Sequence, residues 1–159
     1  MGAINNAFNQ AAGAVAGAAV TIKHTKDSEF SKMNSADNSA LIARNQARAA
    51  TAEANEATNE AKKDGGLNQQ LSEAEVAEGE AKKAFEKAYN RKNGSPVTIL
   101  NKMTELKAAK KAADELRDKY KALTDLQNRA IEQRRYAAKA TQIALDEKTK
   151  YEKRWGGIK

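Results

Sequence analysis

Few side chains in this sequence are of the kind that do chemistry. His24 is the only histidine, and there is no cysteine. Nucleophilic catalysis needs a base set beside its nucleophile, and one histidine in a polar stretch offers no such pair. Glu53, Glu56 and Glu60 recur at helical spacing, but Lys62 and Lys63 follow them. That pattern reads as a solvated face with pairing three or four residues apart. A di-metal carboxylate bundle is built on Glu-x-x-His motifs, and none occurs. Gly65-Gly66 and Gly156-Gly157 lack the Lys-Ser/Thr that completes a phosphate-binding loop. Without cysteine, disulfides and thiolate metal sites are excluded. The expectation is a protein that is not an enzyme and uses no metal or cofactor.

Two groups of residues remain that can bind. Arg129, Arg134, Arg135 and Lys139 are spaced to touch neighbouring phosphates on DNA, a contact that carries no sequence information. Asp125, Glu132 and Asp146 interrupt this run, and no aromatic cluster for base stacking accompanies it. Tyr151 and Trp155 stand at helical spacing just before Gly156-Gly157-Ile158-Lys159. They suit an anchor into a partner or an end-cap for a core. With Lys153 and Arg154 beside the tryptophan they also suit a membrane interface.

The elements that would position these residues are helical. The chain has 159 residues, one proline and 40% hydrophobic residues, with aromatics at 5%. Ala is the best helix former, and proline is what usually breaks helices. A bias toward Ala, Glu, Lys, Leu and Arg marks long helices and coiled coils. The net charge of +7 is uneven: residues 1–100 carry 12 Lys+Arg and 12 Asp+Glu, residues 101–159 carry 16 and 9. A basic segment of this kind can face nucleic acid, an anionic membrane or an acidic protein.

Residues 1–22 contain no charged side chain, and Ala11–Ile22 is made of small and branched apolar residues. The stretch is too short to span a bilayer, which takes about 20 apolar residues. Its first positive charge, Lys23, follows the apolar part, the reverse of a secretory signal. Gly13 and Gly17 form a small-xxx-small pair and, with Val20, are candidate contacts to an oligomer partner or a membrane. Residues 23–35 read as a polar connector with one short helical turn near Phe30 and Met33. Ser35 or Asp37 would then cap the next helix.

Alanines at 36, 40, 43, 47, 50, 54, 57 and 61 alternate in steps of four and three, an unbroken heptad seam. Asp64-Gly65-Gly66 ends that helix, and a second is expected from about Leu67 to Lys92. Its seam runs through Leu71, Ala74, Ala77, Ala81, Ala84 and Ala88. A fold-back at Gly65-Gly66 with partners totalling 131 sets Ala57 on Ala74, Ala54 on Ala77, Ala50 on Ala81, Ala47 on Ala84 and Ala43 on Ala88. Asn93-Gly94 closes the second helix, and Ser95-Pro96 opens a third running to about Trp155. Its seam passes Ile99, Met103, Leu106, Ala109, Ala113, Leu116, Tyr120 and Leu123, pairing with the second helix at totals near 187. Beyond Leu123 the heptad slips, and a break near Thr124-Asp125 is conceivable.

The expected fold class is therefore all-α: an antiparallel Ala-rich helical hairpin plus a very long C-terminal helix, a three-helix coiled-coil-like bundle, oligomeric. Its segments are 1–22, the connector 23–35, the bundle 36–123 and a basic extension 124–159. The stripe on that extension outruns the hairpin. It must pack on residues 1–35, on another subunit or on another protein, and an oligomer or a larger assembly follows from it.

The uncharged Ala/Gly start (Met1-Gly2-Ala3, then AAGAVAGAAV over residues 11–20), followed by long Ala/Gln/Asn/Arg-rich helices such as Leu41–Ala54, resembles the smaller internal-virion proteins of short-tailed bacteriophages. Those proteins are stored in the particle and ejected with the DNA. The resemblance is one of layout and transfers no functional residue. It implies a virion protein forming a helical ring or channel, in the neck or tail or ejected into the host envelope. Partners would be copies of itself and other virion proteins, with residues 1–22 facing the envelope or the assembly. The alternatives are a DNA-associated protein using the basic helix and a coiled-coil adaptor or scaffold, either of them cytoplasmic.

Overall fold

The computed structural model of the protein describes the backbone of residues 2–92 and 94–156, and the side chains of residues 21–92 and 94–156. The chain forms three helices, α1 (Gly2–Lys62), α2 (Leu67–Tyr89) and α3 (Pro96–Trp155). No strand occurs among the described residues. The helices fall into two compact units. The first combines residues 1–47 with 133–159, and the second is residues 48–132.

The helix ends follow the local chemistry of the chain. At the end of α1, Gly65 takes a φ of +72°, which L side chains rarely adopt. Gly66 lies so close beneath the last turn that a Cβ there would come within 2.6 Å of the Glu60 carbonyl oxygen. The Gly66 amide donates to the Lys63 carbonyl at 2.8 Å. Gln69 and Gln70 bond the amide and carbonyl of Gly65, so the turn is tied from both sides. α2 stops at Tyr89, three residues short of the expected Lys92, with Asn90 as its C-cap. α3 begins at Pro96, and the Ser95 carbonyl accepts from the Ile99 amide. The helix then runs unbroken through Thr124-Asp125.

Residues 23–35 are helical throughout and not a connector. No glycine or proline lies between Gly17 and Lys62, and the buried-side spacing of the alanine seam continues backwards through Met33, Glu29 and Lys26. The positions are right, but two of the three side chains are charged. The same reasoning removes Ser35 and Asp37 as caps, since the helix passes through them.

The alanine seam of α1 is the buried face, as its spacing predicts. Ala40, Ala43, Ala47, Ala54 and Ala61 are buried, and Ala36, Ala50 and Ala57 are half-buried. Its partner differs from the expected one. In the first unit Ala43 and Ala47 cluster with Ala137 and Ala140 of α3, not with α2. In the second unit Gln127 Nε2 donates to Thr58 Oγ1 at 2.9 Å. Further along, Leu67 borders a cleft with Leu123 and Leu126, and Arg117 pairs with Glu75 and Glu78. From α1 into α2 the partner on α3 falls steadily from residue 127 to 117. Within this unit α2 therefore carries on along α3 in the direction α1 was taking, antiparallel to α3. It does not fold back on α1, and the five alanine pairs totalling 131 do not set the fold.

The α2–α3 register also moves. At a total of 187 Arg117 would stand opposite Gln70; it pairs instead five and eight residues further on. Ala77 is exposed, and Glu78 takes its place beside Leu71, Ala74, Ala81, Ala84 and Ala88 on the half-buried side. Arg117 Nη2 reaches Glu78 at 2.7 Å and Nη1 reaches Asp114 at 2.8 Å. These bonds, that with Glu78 first, raise the pKa of the guanidinium above its usual value. α2 buries no residue fully.

On α3 the expected Tyr120–Leu123 step and the observed Leu123–Leu126 step are both of three, a change of phase at Leu123, and threes and fours alternate again through Ala130 and Gln133. The seam then runs through Ala137, Ala140, Ala144 and Glu147 to Tyr151. Ala130, Ala137 and Ala144 face inward, while their larger neighbours Ile131 and Leu145 and the neighbour Ala138 are exposed.

Two measurements check this topology. Since the chain has no cysteine, Thr58→Cys with Gln127→Cys is expected to crosslink with a short bis-maleimide, and Ala57→Cys with Ala74→Cys is not. Ala43→Leu, at a position 1% exposed, is expected to cost about 1–3 kcal/mol by overpacking. Ala49→Leu on the exposed side should stay within about 0.5 kcal/mol, both read by urea unfolding.

Candidate functional site

The aromatic end of α3 is taken up inside the first unit. Trp155 is buried, and its indole Nε1 donates to Glu29 Oε2 at 2.5 Å. Arg154 pairs with the other oxygen of Glu29 and lies over the Trp155 ring, 5.1 Å from its centroid. One turn back, Tyr151 meets Phe30 with ring centroids 5.5 Å apart and planes at 54°, the tilted geometry that aromatic quadrupoles favour. Lys32 reaches Glu147 at 3.9 Å. Tyr151 and Trp155 thus serve as a clasp between α1 and α3 and do not present themselves to a partner or a membrane. Within this unit the stripe on residues 133–155 is likewise covered by α1, partly by Glu29, Phe30 and Lys32 of the expected 1–35 stretch and partly by Ala43 and Ala47 beyond it.

The same unit carries a groove of about 820 Å³ between its two helices. One wall is α1, with a ladder of small residues, Ser28, Ser31, Ser35, Ala36 and Ser39, and Lys32 among them. The other is Tyr136, Lys139, Ala140 and Ile143 of α3. Small residues on a helix let a neighbouring backbone approach closely. Trp155 apart, several large apolar residues of the unit stand outside its buried seam: Ile22, Leu41, Ile42, Tyr136, Ile143 and Leu145 are all exposed.

The four cations proposed for phosphate contact do not form one patch. Arg134, Arg135 and Lys139 are exposed and bond to no other described residue, as is Arg129 in the second unit. A helix turns 100° per residue, so Arg135 and Lys139 share a stripe that Arg134 leaves. Lys139 also lines the groove. His24 is exposed. Among the described residues no group of three or more His, Cys, Asp or Glu is placed to hold a metal ion, and no helix is long and apolar enough to cross a membrane. Gly13, Gly17 and Val20 lie outside the residues whose side chains are described.

Sequence reasoning missed the groove and the Glu29 clasp. Ser28, Ser31, Ser35 and Ser39 do show helical spacing, but a polar ladder inside a supposed connector has no local signal pointing to a groove wall. Compared with protein-family models, curated proteins and solved structures, the chain matches none.

Trp155 is the only tryptophan, so its fluorescence reports the clasp alone. Glu29→Ala or Phe30→Ala is expected to shift its emission to the red and to raise acrylamide quenching. Ile22→Ala, at an exposed site, is expected to leave both unchanged.

Proposed function

We propose that the protein is a non-enzymatic structural subunit that assembles with copies of itself through the outer faces of the α1–α3 pair. One observation carries this reading: the apolar residues are distributed inside out. Among the described residues the buried seam is alanine except for Leu123 and Trp155. Many of the branched and aromatic residues that would ordinarily stabilise a core face outward, Leu41 and Ile42 on α1 and Tyr136 and Ile143 on α3, the latter two lining the serine-walled groove. Exposed apolar surface of this extent marks interaction sites in soluble proteins. Burying one such side chain stabilises by about 1.5–3 kcal/mol, so a few per subunit suffice to hold neighbours together.

For the setting, the sequence resemblance suggests the particle of a tailed phage. There a helical ring or channel of such subunits belongs in the neck or tail, or is ejected with the DNA. The uncharged residues 1–22 offer a further surface for assembly or envelope contact.

Light scattering is expected to give a discrete multimer at micromolar concentration. Leu41→Glu combined with Ile143→Glu should return it to monomer without loss of far-UV ellipticity, because both positions are exposed in the single chain. A wild-type chain that stays monomeric at millimolar concentration overturns the proposal.

A further inference from the structure

One segment of the fold is strongly basic. Residues 81–111 hold nine Lys or Arg against two acids, Glu86 and Glu105, an excess of seven that equals the +7 of the whole protein. Outside it, residues 1–80 carry seven Lys or Arg against eleven acids and residues 112–159 twelve against eight, and these two cancel. In the second unit this segment is the turn between α2 and α3 with the helix ends that lead into it. α1 ends at Lys62, and its last buried residue, Ala61, borders the cleft with Leu123, so α2 and α3 run on to the turn as a pair.

Apolar side chains crown the same tip. Tyr89 closes α2 at 66% exposure, and Val97 and Leu100 in the first turns of α3 are 65% and 57% exposed. Behind them Phe85 stacks on Tyr89 with centroids 5.9 Å apart, which holds the tyrosine ring at the end of the helix. Lys83, Lys87, Arg91 and Lys92 belong to the same tip of α2 and its turn, all exposed and without an ion pair among the described residues. Among the described residues, Lys102 is the one cation of the segment with an ion pair, to Glu105 at 3.0 Å.

We infer that the α2–α3 turn docks on an anionic lipid bilayer, its cations meeting lipid headgroups while Tyr89, Val97 and Leu100 enter the interface. A lipid surface accounts for both halves of the tip. Cations near anionic headgroups are attracted individually and additively, and a tyrosine with two aliphatic side chains is suited to the headgroup–acyl boundary. A nucleic-acid backbone would use the cations and leave the apolar crown without a partner. This surface is made of other residues than 1–22 and than those assigned above to assembly.

The test uses the full chain with vesicles of phosphatidylcholine alone and of phosphatidylcholine with about 30% phosphatidylserine, read by flotation. Strong binding to the anionic vesicles and little to the neutral ones is expected. Each cation removed should weaken binding about fivefold. K83Q/K87Q/R91Q/K92Q is therefore expected to lose more than a hundredfold while keeping wild-type ellipticity and mass. Val97→Ser with Leu100→Ser should lose about tenfold and should abolish the fraction that persists in high salt. Equal binding to both vesicle types, or a quadruple variant that floats like wild type, overturns the inference, because either result moves the contact to residues 1–22 or elsewhere. Binding to duplex DNA that the quadruple variant loses, with no flotation on anionic vesicles, overturns it in favour of nucleic acid.

Discussion

Two helices approach most closely where the side chains between them end at Cβ. The alanine seam of α1 and its counterpart on α3 supply that condition, with Ala43 and Ala47 against Ala137 and Ala140 in the first unit. Each alanine removes little area from water, so the contact gains from its length and from the helix propensity of the residues that make it. Such an interface does not tolerate an added methylene group well, since close packing leaves nowhere for it to go. The larger residues are then excluded from the seam by geometry, and they take the outer faces. The exposed Leu41, Ile42, Tyr136 and Ile143 follow from the alanine contact and are not an independent feature of the chain.

A seam of alanine fixes distance but hardly fixes register, since every alanine resembles the next. The specific contacts lie beside it. Glu29 receives both the Trp155 indole and the Arg154 guanidinium, Gln127 donates to Thr58, and Arg117 gathers Glu75, Glu78 and Asp114. These groups are directional, so a slip of one heptad would separate them. The polar residues thus set alignment, and the small apolar ones set proximity.

This division explains how much of the structure could be read from the sequence. The breaks between the helices were legible, because Asp64-Gly65-Gly66, Gly94, Ser95 and Pro96 act locally, whereas the helix through residues 23–35 was not and read as a connector. The buried face of α1 was legible from a spacing of four and three. Its partner was not: any two seams with that spacing match at some total, so the agreement of five pairs at 131 reflected the period alone. Lys26, Glu29, Gln133 and Glu147 hid the rest, as polar residues at seam positions that make sense only once the opposing helix is known. The clasp at Trp155 depends on Glu29, 126 residues away, and no local pattern signals a pairing at that distance. The groove was invisible for the same reason, because each of its walls looks like an ordinary helix surface until the other is set beside it.

The link at residues 90–95 has a consequence for how the chain reaches this structure. It joins two antiparallel helices by a short loop, whose closure requires little entropy, whereas Phe30 and Tyr151 are brought together across most of the chain. Local contacts form early and distant ones late, so α2 and α3 pair first at the turn and the remaining levels close in sequence away from it. During synthesis α1 must then wait, its inner face uncovered, until the residues beyond Gln133 have been made. A face of leucine or valine left open for that interval would invite association with other nascent chains. A face of alanine presents very little for them to hold.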